Sequence, residues 1–290
     1  MYKVNLLFLK IIRKISLLKR LNFTFSRYYN RKKVIIPFIN GIGFENYIKQ
    51  PNWLDNLIQL FVKENDGAFV DVGVNIGQTL LRVKTALPNI HYIGFEPNAT
   101  CTFYTQQLIR KNNFTNSLVY NCALSTKVQN ILLEKSLGDD KRASIVSGLR
   151  PHTFVDAEPI LAVDFDALSF NDKIAFVKID VEGAELEVLT GMKKMIENHQ
   201  PIITCEVLDA HSKEQFDFTQ DRANKVFELL SLLHYSVIQL QTTTQGIVSY
   251  NKVNAFQLKE WTPDSYALND YIFYPIAKEN EVMNALKLMM

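Results

Sequence analysis

From residue 52 onward, short apolar runs alternate with stretches in which apolar residues recur every three or four positions. Runs of this length suit buried strands, and the three-to-four spacing suits helices with one buried face. Strands are predicted at 68–72, 90–95, 118–122, 174–179, 201–207, 235–240 and 271–274. Helices are predicted at 53–62, 77–87, 98–112, 184–197 and 213–233, with Pro88 ending the second. Residues 123–170 read as irregular, with one extra strand at Ile131-Leu132-Leu133. Strands alternating with helices predict an α/β fold on a mostly parallel sheet. Right-handed crossovers then place helices on both faces.

The first residues follow a different pattern. Val4, Phe8, Ile11, Ile12, Ile15 and Leu18 recur at helical spacing, with Lys3, Lys10, Arg13, Lys14 and Arg20 largely opposite. A basic amphipathic helix over 3–21 is predicted, with Leu6, Leu17 and Leu21 interrupting its polar face. Glycines at 41 and 43 mark a boundary, so the chain divides into an arm, 1–45, and a domain, 46–290. Such a helix suits a peripheral membrane contact through residues 1–33, or packing on the body.

Composition sharpens that contrast. The 290 residues are 47% hydrophobic and 21% charged, as in an ordinary folded protein. The net charge of +2 hides an asymmetry: residues 1–44 hold ten Lys or Arg and no Asp or Glu. The acidic remainder gives no electrostatic case for nucleic-acid binding. No run of 18 apolar residues occurs, which argues against a membrane-spanning helix. Cys101, Cys122 and Cys205 show no paired spacing, which argues against a disulfide framework or a zinc site and fits free thiols in a cytoplasmic protein.

Chemistry enters at the first strand. Asp71-Val72-Gly73-Val74-Asn75-Ile76-Gly77 leaves that strand and opens a helix, so Gly73 and Gly77 would let backbone approach a ligand. The spacing is G-x-N-x-G, which disfavours the pyrophosphate site of an NAD-dependent oxidoreductase, and no P-loop is present. Glu96, at the end of the second strand, can accept hydrogen bonds from two ribose hydroxyls. An adenosine cofactor without pyrophosphate is implied, and S-adenosylmethionine is the candidate. Asp71 and the turn amides, with Asn75, would meet its amino and carboxylate groups.

These blocks, with Gly94-Phe95-Glu96-Pro97-Asn98 and Lys178-Ile179-Asp180-Val181-Glu182-Gly183-Ala184-Glu185, resemble the FkbM-type methyltransferases over a motif core of about 67–208. Asn121-Cys122-Ala123-Leu124-Ser125 and Pro201-Ile202-Ile203-Thr204-Cys205-Glu206 also fit, and Val74 stands where the family usually has Ala. The resemblance implies a Rossmann-like class I methyltransferase fold with a mostly parallel seven-stranded sheet. It also implies methyl transfer to oxygen on a small-molecule or glycan acceptor. On the same basis, Ala123 and Leu124 would flank the adenine, and the Cys122 backbone would hydrogen-bond it.

In an open parallel sheet, ligands sit beyond the carboxyl ends of the strands. Asp180 and Glu182 follow the fourth strand and should lie near the transferred methyl. A hydroxyl acceptor must lose a proton, and Asp180, then Glu182, then His211 are the candidate bases. Glu185 sits at a helix start, where an acidic side chain stabilises the dipole. Asp180, Glu206 and Asp209 permit a divalent ion without requiring one, and no metal ligand is assigned. Lys141, Arg142, Arg150 and His152 lie in the segment expected to border the acceptor. A nucleic-acid methyltransferase and a non-catalytic cofactor-binding scaffold are the remaining alternatives.

Overall fold

The computed structural model describes residues 2–14, 17–48, 52–136, 139–146, 154–243, 246–262 and 265–289. Four elements come first: α1 (Tyr2–Lys14), β1 (Phe23–Tyr29), β2 (Lys32–Phe38) and α2 (Phe44–Ile48). The alternating region follows with α3 (Trp53–Phe61), β3 (Ala68–Val72), α4 (Gln78–Ala86), β4 (Tyr92–Phe95), α5 (Ala99–Asn112) and β5 (Ser117–Tyr120). Next come β6 (Ala123–Leu124), β7 (Gln129–Ser136), β8 (Asp139–Ser144) and β9 (Phe154–Val163). The chain continues with β10 (Ile174–Ile179), α6 (Glu185–Gly191), α7 (Lys193–His199), β11 (Ile202–Glu206) and α8 (Lys213–Leu232). It closes with β12 (Tyr235–Thr243), β13 (Gly246–Val253), β14 (Asp270–Pro275) and α9 (Glu279–Lys287).

The main sheet has the order β13-β12-β14-β11-β10-β3-β4-β5. β5, β4, β3, β10 and β11 run parallel, and β14 is inserted antiparallel between β11 and β12. This is the class I methyltransferase sheet, with β13 added as an eighth strand on the β12 edge. Every residue of β3 and β4 is buried, as expected of central parallel strands covered on both faces.

Local chemistry fixes the helix ends. Asn52 and Asp55 form a reciprocal capping box at the start of α3. The Asn98 carboxamide caps α5 by accepting from the amides of Thr100 and Cys101, at 2.9 and 3.3 Å. The helix expected over 184–197 is broken at Met192. Asp166, from a distant loop, accepts from the amides of Lys194 and Met195 at 2.7 and 2.9 Å and so starts α7 afresh. A tertiary cap of this kind leaves no periodic trace in the sequence.

The stretch expected to be irregular instead holds a second sheet of order β6-β9-β7-β8. Leu133 from this sheet, and Ile145 just beyond β8, reach the cleft described below. Arg150 and His152 lie outside the described residues, as do the side chains of Lys141 and Arg142.

The N-terminal helix is shorter than the periodicity suggested. The described helix spans Tyr2–Lys14, and Leu17–Arg20 forms a separate 3-10 turn. Leu9, Ile12 and Leu18 are buried, whereas Phe8 and Ile11 are exposed. The reason is that apolar residues lie nearly all round α1, so packing chose one strip and left another outside. The buried strip shares a hydrophobic cluster with Val34, Ile36, Phe38 and Phe69. Asn112 grips β2 through the Ile35 amide and carbonyl, at 2.7 and 2.8 Å.

Asn46 in α2 is fully buried and donates to the Ile76 carbonyl at 2.7 Å, tying the N-terminal segment to the glycine turn. An unsatisfied buried carbonyl costs about 1–3 kcal/mol. Asn46→Ala should therefore lower stability by about that amount, read as a reduced denaturant midpoint at constant slope. An unchanged midpoint would show that the tie contributes nothing.

Candidate active site

The sheet's strand order reverses between β3 and β10, and this is where an open α/β sheet binds ligands. The two strands pair in parallel with Lys178 beside Asp71 and Ile179 beside Val72. Just beyond, the Asp180 amide donates to the Val72 carbonyl at 3.0 Å. The chains are so close there that a Cβ on Gly73 would lie 1.9 Å from the Asp180 carbonyl oxygen. Gly73 also has φ +83°, so only glycine fits.

Lys178 lies between the two chain ends. Its ammonium donates to the Gly73 carbonyl at 2.9 Å and stands 3.3 Å from Asp71 and 3.2 Å from Asp180. Burial opposes its charge, but Asp180 and Asp71 more than offset that and hold its pKa above the usual lysine value. Asp71 is wholly buried and also accepts from the Tyr92 hydroxyl.

One cleft opens over the ends of β3 and β4, with Gly73, Asn75, Glu96, Ala123, Leu124, Asp180 and Glu182 among its walls. Glu96 is anchored at both oxygens, accepting from the Asn75 amide at 2.6 Å and the Asn98 amide at 2.8 Å. A carboxylate has about four lone-pair sites, so each oxygen keeps one for a ligand hydroxyl. Burial pushes Glu96 up to about 7, against the lowering effect of those two amides.

A second cleft of about 440 Å³ shares Gly73, Asn75 and Asp180 with the first. Asn52, Trp53, Thr204, Glu206, Thr242 and Asp270 line it. Strand register puts Asp270 directly across from Glu206. The Thr242 hydroxyl donates to Asp270 at 3.0 Å. Burial, with the charges of Asp180 and Asp270 and a hydrogen bond to Asp180, pushes Glu206 well above the usual carboxylate range. Burial also pushes Asp270 up to about 7. Asp180, with a side chain 43% exposed, stands where the two clefts meet.

The family model for the methyltransferase FkbM domain matches residues 71–236. The chain belongs to the FkbM methyltransferase family. It is 25% identical over 166 residues to Methyltransferase 1 of Beauveria bassiana (strain ARSEF 2860), a match covering 50% of this chain and 66% of that protein. The crystal structure of a methyltransferase FkbM from Methylobacillus flagellatus KT aligns at TM-score 0.48 and 16% identity, over 80% of this chain and 49% of that one. An O-methyltransferase from Bacillus cereus, crystallised with SAH, aligns at TM-score 0.42 and 11% identity, over 76% and 79%. The matched stretches thus span two thirds or less of the first two relatives.

The cofactor of an FkbM methyltransferase is S-adenosylmethionine, and the first cleft suits it chemically. Glu96 offers lone pairs for ribose hydroxyls, and Cys122, Ala123 and Leu124 supply apolar surface for a base. Among the residues expected to bind cofactor, Gly73, Asn75, Glu96, Cys122 and Ala123 line this cleft. Asp71 is not among its lining residues; it is enclosed with Tyr92 and Lys178 and holds the lysine's ammonium. Gly77 does not line it either. Its φ of +75° opens α4, and a Cβ there would press on Leu108 and Thr105 at 3.1 and 3.2 Å. Close packing of α4 against α5 therefore requires a glycine at position 77.

The catalytic candidates also separate. Asp180 borders both clefts, and Glu182, at φ +56°, lines only the first. His211 lines neither; it borders another cavity with Glu185, Asp209 and Arg222, its ring 5.8 Å from that of Trp261. Glu185 accepts from the Gly183 amide at 2.9 Å, as a helix-start carboxylate should. Asp209 accepts from the Lys259 amide at 2.8 Å, away from Asp180 and Glu206. Among the described residues, no group of three His, Cys, Asp or Glu is placed to hold a metal ion. Sequence reasoning missed Lys178 and Asp270 as site residues, and only strand pairing reveals the second.

Burial pushes Glu96, Glu185 and Asp270 up to about 7 and also raises Glu206 well above the usual carboxylate range. A carboxyl with a raised folded pKa binds more protons in the native state than in the unfolded one. Stability therefore falls as pH rises from the unfolded value of about 4.3 through the folded values. Thermal melts of ligand-free protein should show a lower melting temperature at pH 8 than at pH 5.5, with a smaller difference in Glu206→Gln. A profile flat across that window would remove the buried-carboxyl assignment.

Proposed function

We propose that the protein is an S-adenosylmethionine-dependent O-methyltransferase that methylates a hydroxyl of a neutral polyhydroxylated acceptor, such as a sugar or glycan. The observation that carries this reading is the position of Asp180, on the wall shared by a cleft suited to the cofactor and a second, polar cleft. When bound, S-adenosylmethionine supplies an electrophilic methyl on its sulfonium. The chain's own residues then have distinct tasks. Glu96 holds the ribose, and the turn at Gly73 and Asn75 meets the amino-acid end.

The second cleft offers an indole, amides and hydroxyls from Trp53, Asn52, Thr204 and Thr242, the groups that bind a polyol. Asp180, the carboxylate this reading takes as ionised, disfavours a phosphorylated or carboxylated acceptor through like charge. Asp180 accepts the acceptor's hydroxyl proton as the oxygen attacks the methyl. Lys178 fixes the orientation of Asp180 and stabilises its ionised form. Glu206, kept neutral by burial and by its neighbours, donates to Asp180 and so aims it. Glu182 is the second choice for the base, and His211 the third. Alignment of oxygen, methyl and sulfur supplies much of the acceleration.

We place the enzyme in the cytoplasm, supported by three buried free thiols, with a peripheral contact at the inner membrane surface through its arm. In this reading the arm is residues 1–45 and the methyltransferase domain is residues 46–290.

Calorimetric titration with S-adenosylhomocysteine should give saturable binding, and parallel titration with NAD none. Binding to NAD alone would overturn the reading. Glu96→Ala should weaken S-adenosylhomocysteine binding by about tenfold or more, the loss expected when charge-assisted hydrogen bonds of about 1.5–3 kcal/mol go. In an assay that follows labelled methyl into a neutral oligosaccharide, Asp180→Asn should cut turnover by about 10²–10⁴-fold while leaving cofactor affinity nearly unchanged. Normal turnover in that variant would exclude Asp180 as the base.

A further inference from the structure

The N-terminal segment has two faces with different chemistry. One is core: Leu9, Ile12 and Leu18 are buried, and the Arg13 guanidinium sits 4.6 Å over the Phe44 ring. The other faces solvent and has an unusual composition. Every exposed residue among the described positions 7–21 is Leu, Ile, Phe, Lys or Arg. Leu7, Phe8 and Ile11 are 61%, 47% and 52% exposed, and Leu17 and Leu21 are also exposed. Leu7 and Ile11 are one helical turn apart, and Lys10 and Lys14 follow each by three residues along the same outward side. A face made only to keep a helix soluble would carry Asp, Glu, Ser or Gln, and among the described positions this one carries none.

We propose that this outward face of α1 and the following turn is an interfacial membrane-binding surface that lies flat on an anionic lipid bilayer. Charge selects the partner. The ten basic residues of 1–44 meet no acidic side chain within that stretch, whereas the rest of the chain carries eight more acidic than basic groups. An anionic surface therefore attracts the arm and repels the body, which orients the molecule with α1 downward. The apolar residues separate lipid from nucleic acid. Phosphates of RNA would satisfy Lys10 and Lys14 but leave Leu7, Ile11, Leu17 and Leu21 in water. A headgroup layer takes the lysines while the acyl boundary takes the apolar side chains.

The mode is surface contact and not spanning. At 1.5 Å per residue, α1 is about 20 Å long against a hydrocarbon core of about 30 Å. No helix among the described residues is long and apolar enough to cross a membrane. Because the opposite strip of α1 belongs to the core, binding carries the whole folded domain to the bilayer and needs no release of the arm. This inference does not depend on the proposed methyl transfer.

The test is co-sedimentation of the full chain with vesicles of phosphatidylcholine, with and without phosphatidylglycerol. The chain should pellet with the anionic vesicles, stay in solution with the neutral ones, and lose binding as salt rises. Leu7→Glu combined with Ile11→Glu should reduce partitioning by about tenfold or more, and Lys10→Glu combined with Lys14→Glu should do the same. Both pairs are at exposed positions, so melting temperature and S-adenosylhomocysteine affinity should match the parent and certify the fold. Failure to pellet with anionic vesicles would overturn the proposal. So would full binding by the Leu7→Glu, Ile11→Glu variant, or tighter binding to single-stranded RNA that this variant keeps.

Discussion

The ammonium of Lys178 is the interaction on which the site depends. Two parallel strands, β3 and β10, end side by side, with the Gly73 carbonyl and the Asp71 and Asp180 carboxylates converging. A buried cation there binds the Gly73 carbonyl, Asp71 and Asp180 at once. Removing it would leave Asp71 buried and poorly compensated, a loss of several kcal/mol by the usual cost of breaking a buried pair, about 3–5. The same cation fixes the direction in which Asp180 leaves the sheet. Gly73 completes the junction, because only a residue without Cβ lets the turn lie against the Asp180 carbonyl. The two clefts then fall on the two sides of one short chain segment.

The carboxylates around this junction divide by environment rather than by residue type. Glu96 is buried but held by two amides, and its remaining lone pairs face the first cleft. Glu206 and Asp270 are buried beside each other and Asp180, and desolvation, with the charge of Asp180, raises both. Asp180 is the member with both an ammonium partner and solvent access. Similar side chains are thereby pushed in different directions by burial and by their partners.

Much of this was legible in the sequence because its signals are local. Strands buried on both faces read as continuous apolar runs, and the turn at Gly73 and the acid at Glu96 sit at fixed offsets from them. What was not legible depends on pairing between distant segments. Asp270 joins the site only because β14 inserts antiparallel beside β11, with Asp270 in register with Glu206. Asp71 stands at a site-like position, yet Tyr92 and Lys178 enclose it, and the enclosing residues are 21 and 107 positions away in number. Gly77 shows the same ambiguity, since a glycine required by helix packing looks in sequence like one required by a ligand. Strand β8 was missed because Asp139, Asp140, Lys141 and Arg142 make it almost wholly charged, and β9 because Pro159 interrupts its run.

The N-terminal segment shows the limit of periodicity from the other side. Its apolar residues were visible, but they exceed what one buried strip can use. A pattern with two apolar strips states that two partners exist, without saying which strip meets which. Packing answers half of that: Leu9 and Ile12 turn inward, and Asn46, through the Ile76 carbonyl, fastens the segment to the turn that shapes the cofactor cleft. The other strip remains outside among lysines and arginines. Burying such residues in a protein partner would require acidic groups to neutralise every cation, at a desolvation cost that rises with each pair. An anionic bilayer avoids that cost, because its headgroups stay hydrated while its acyl boundary receives the apolar side chains. Lipid is therefore the partner that meets both halves of the exposed chemistry with the least desolvation.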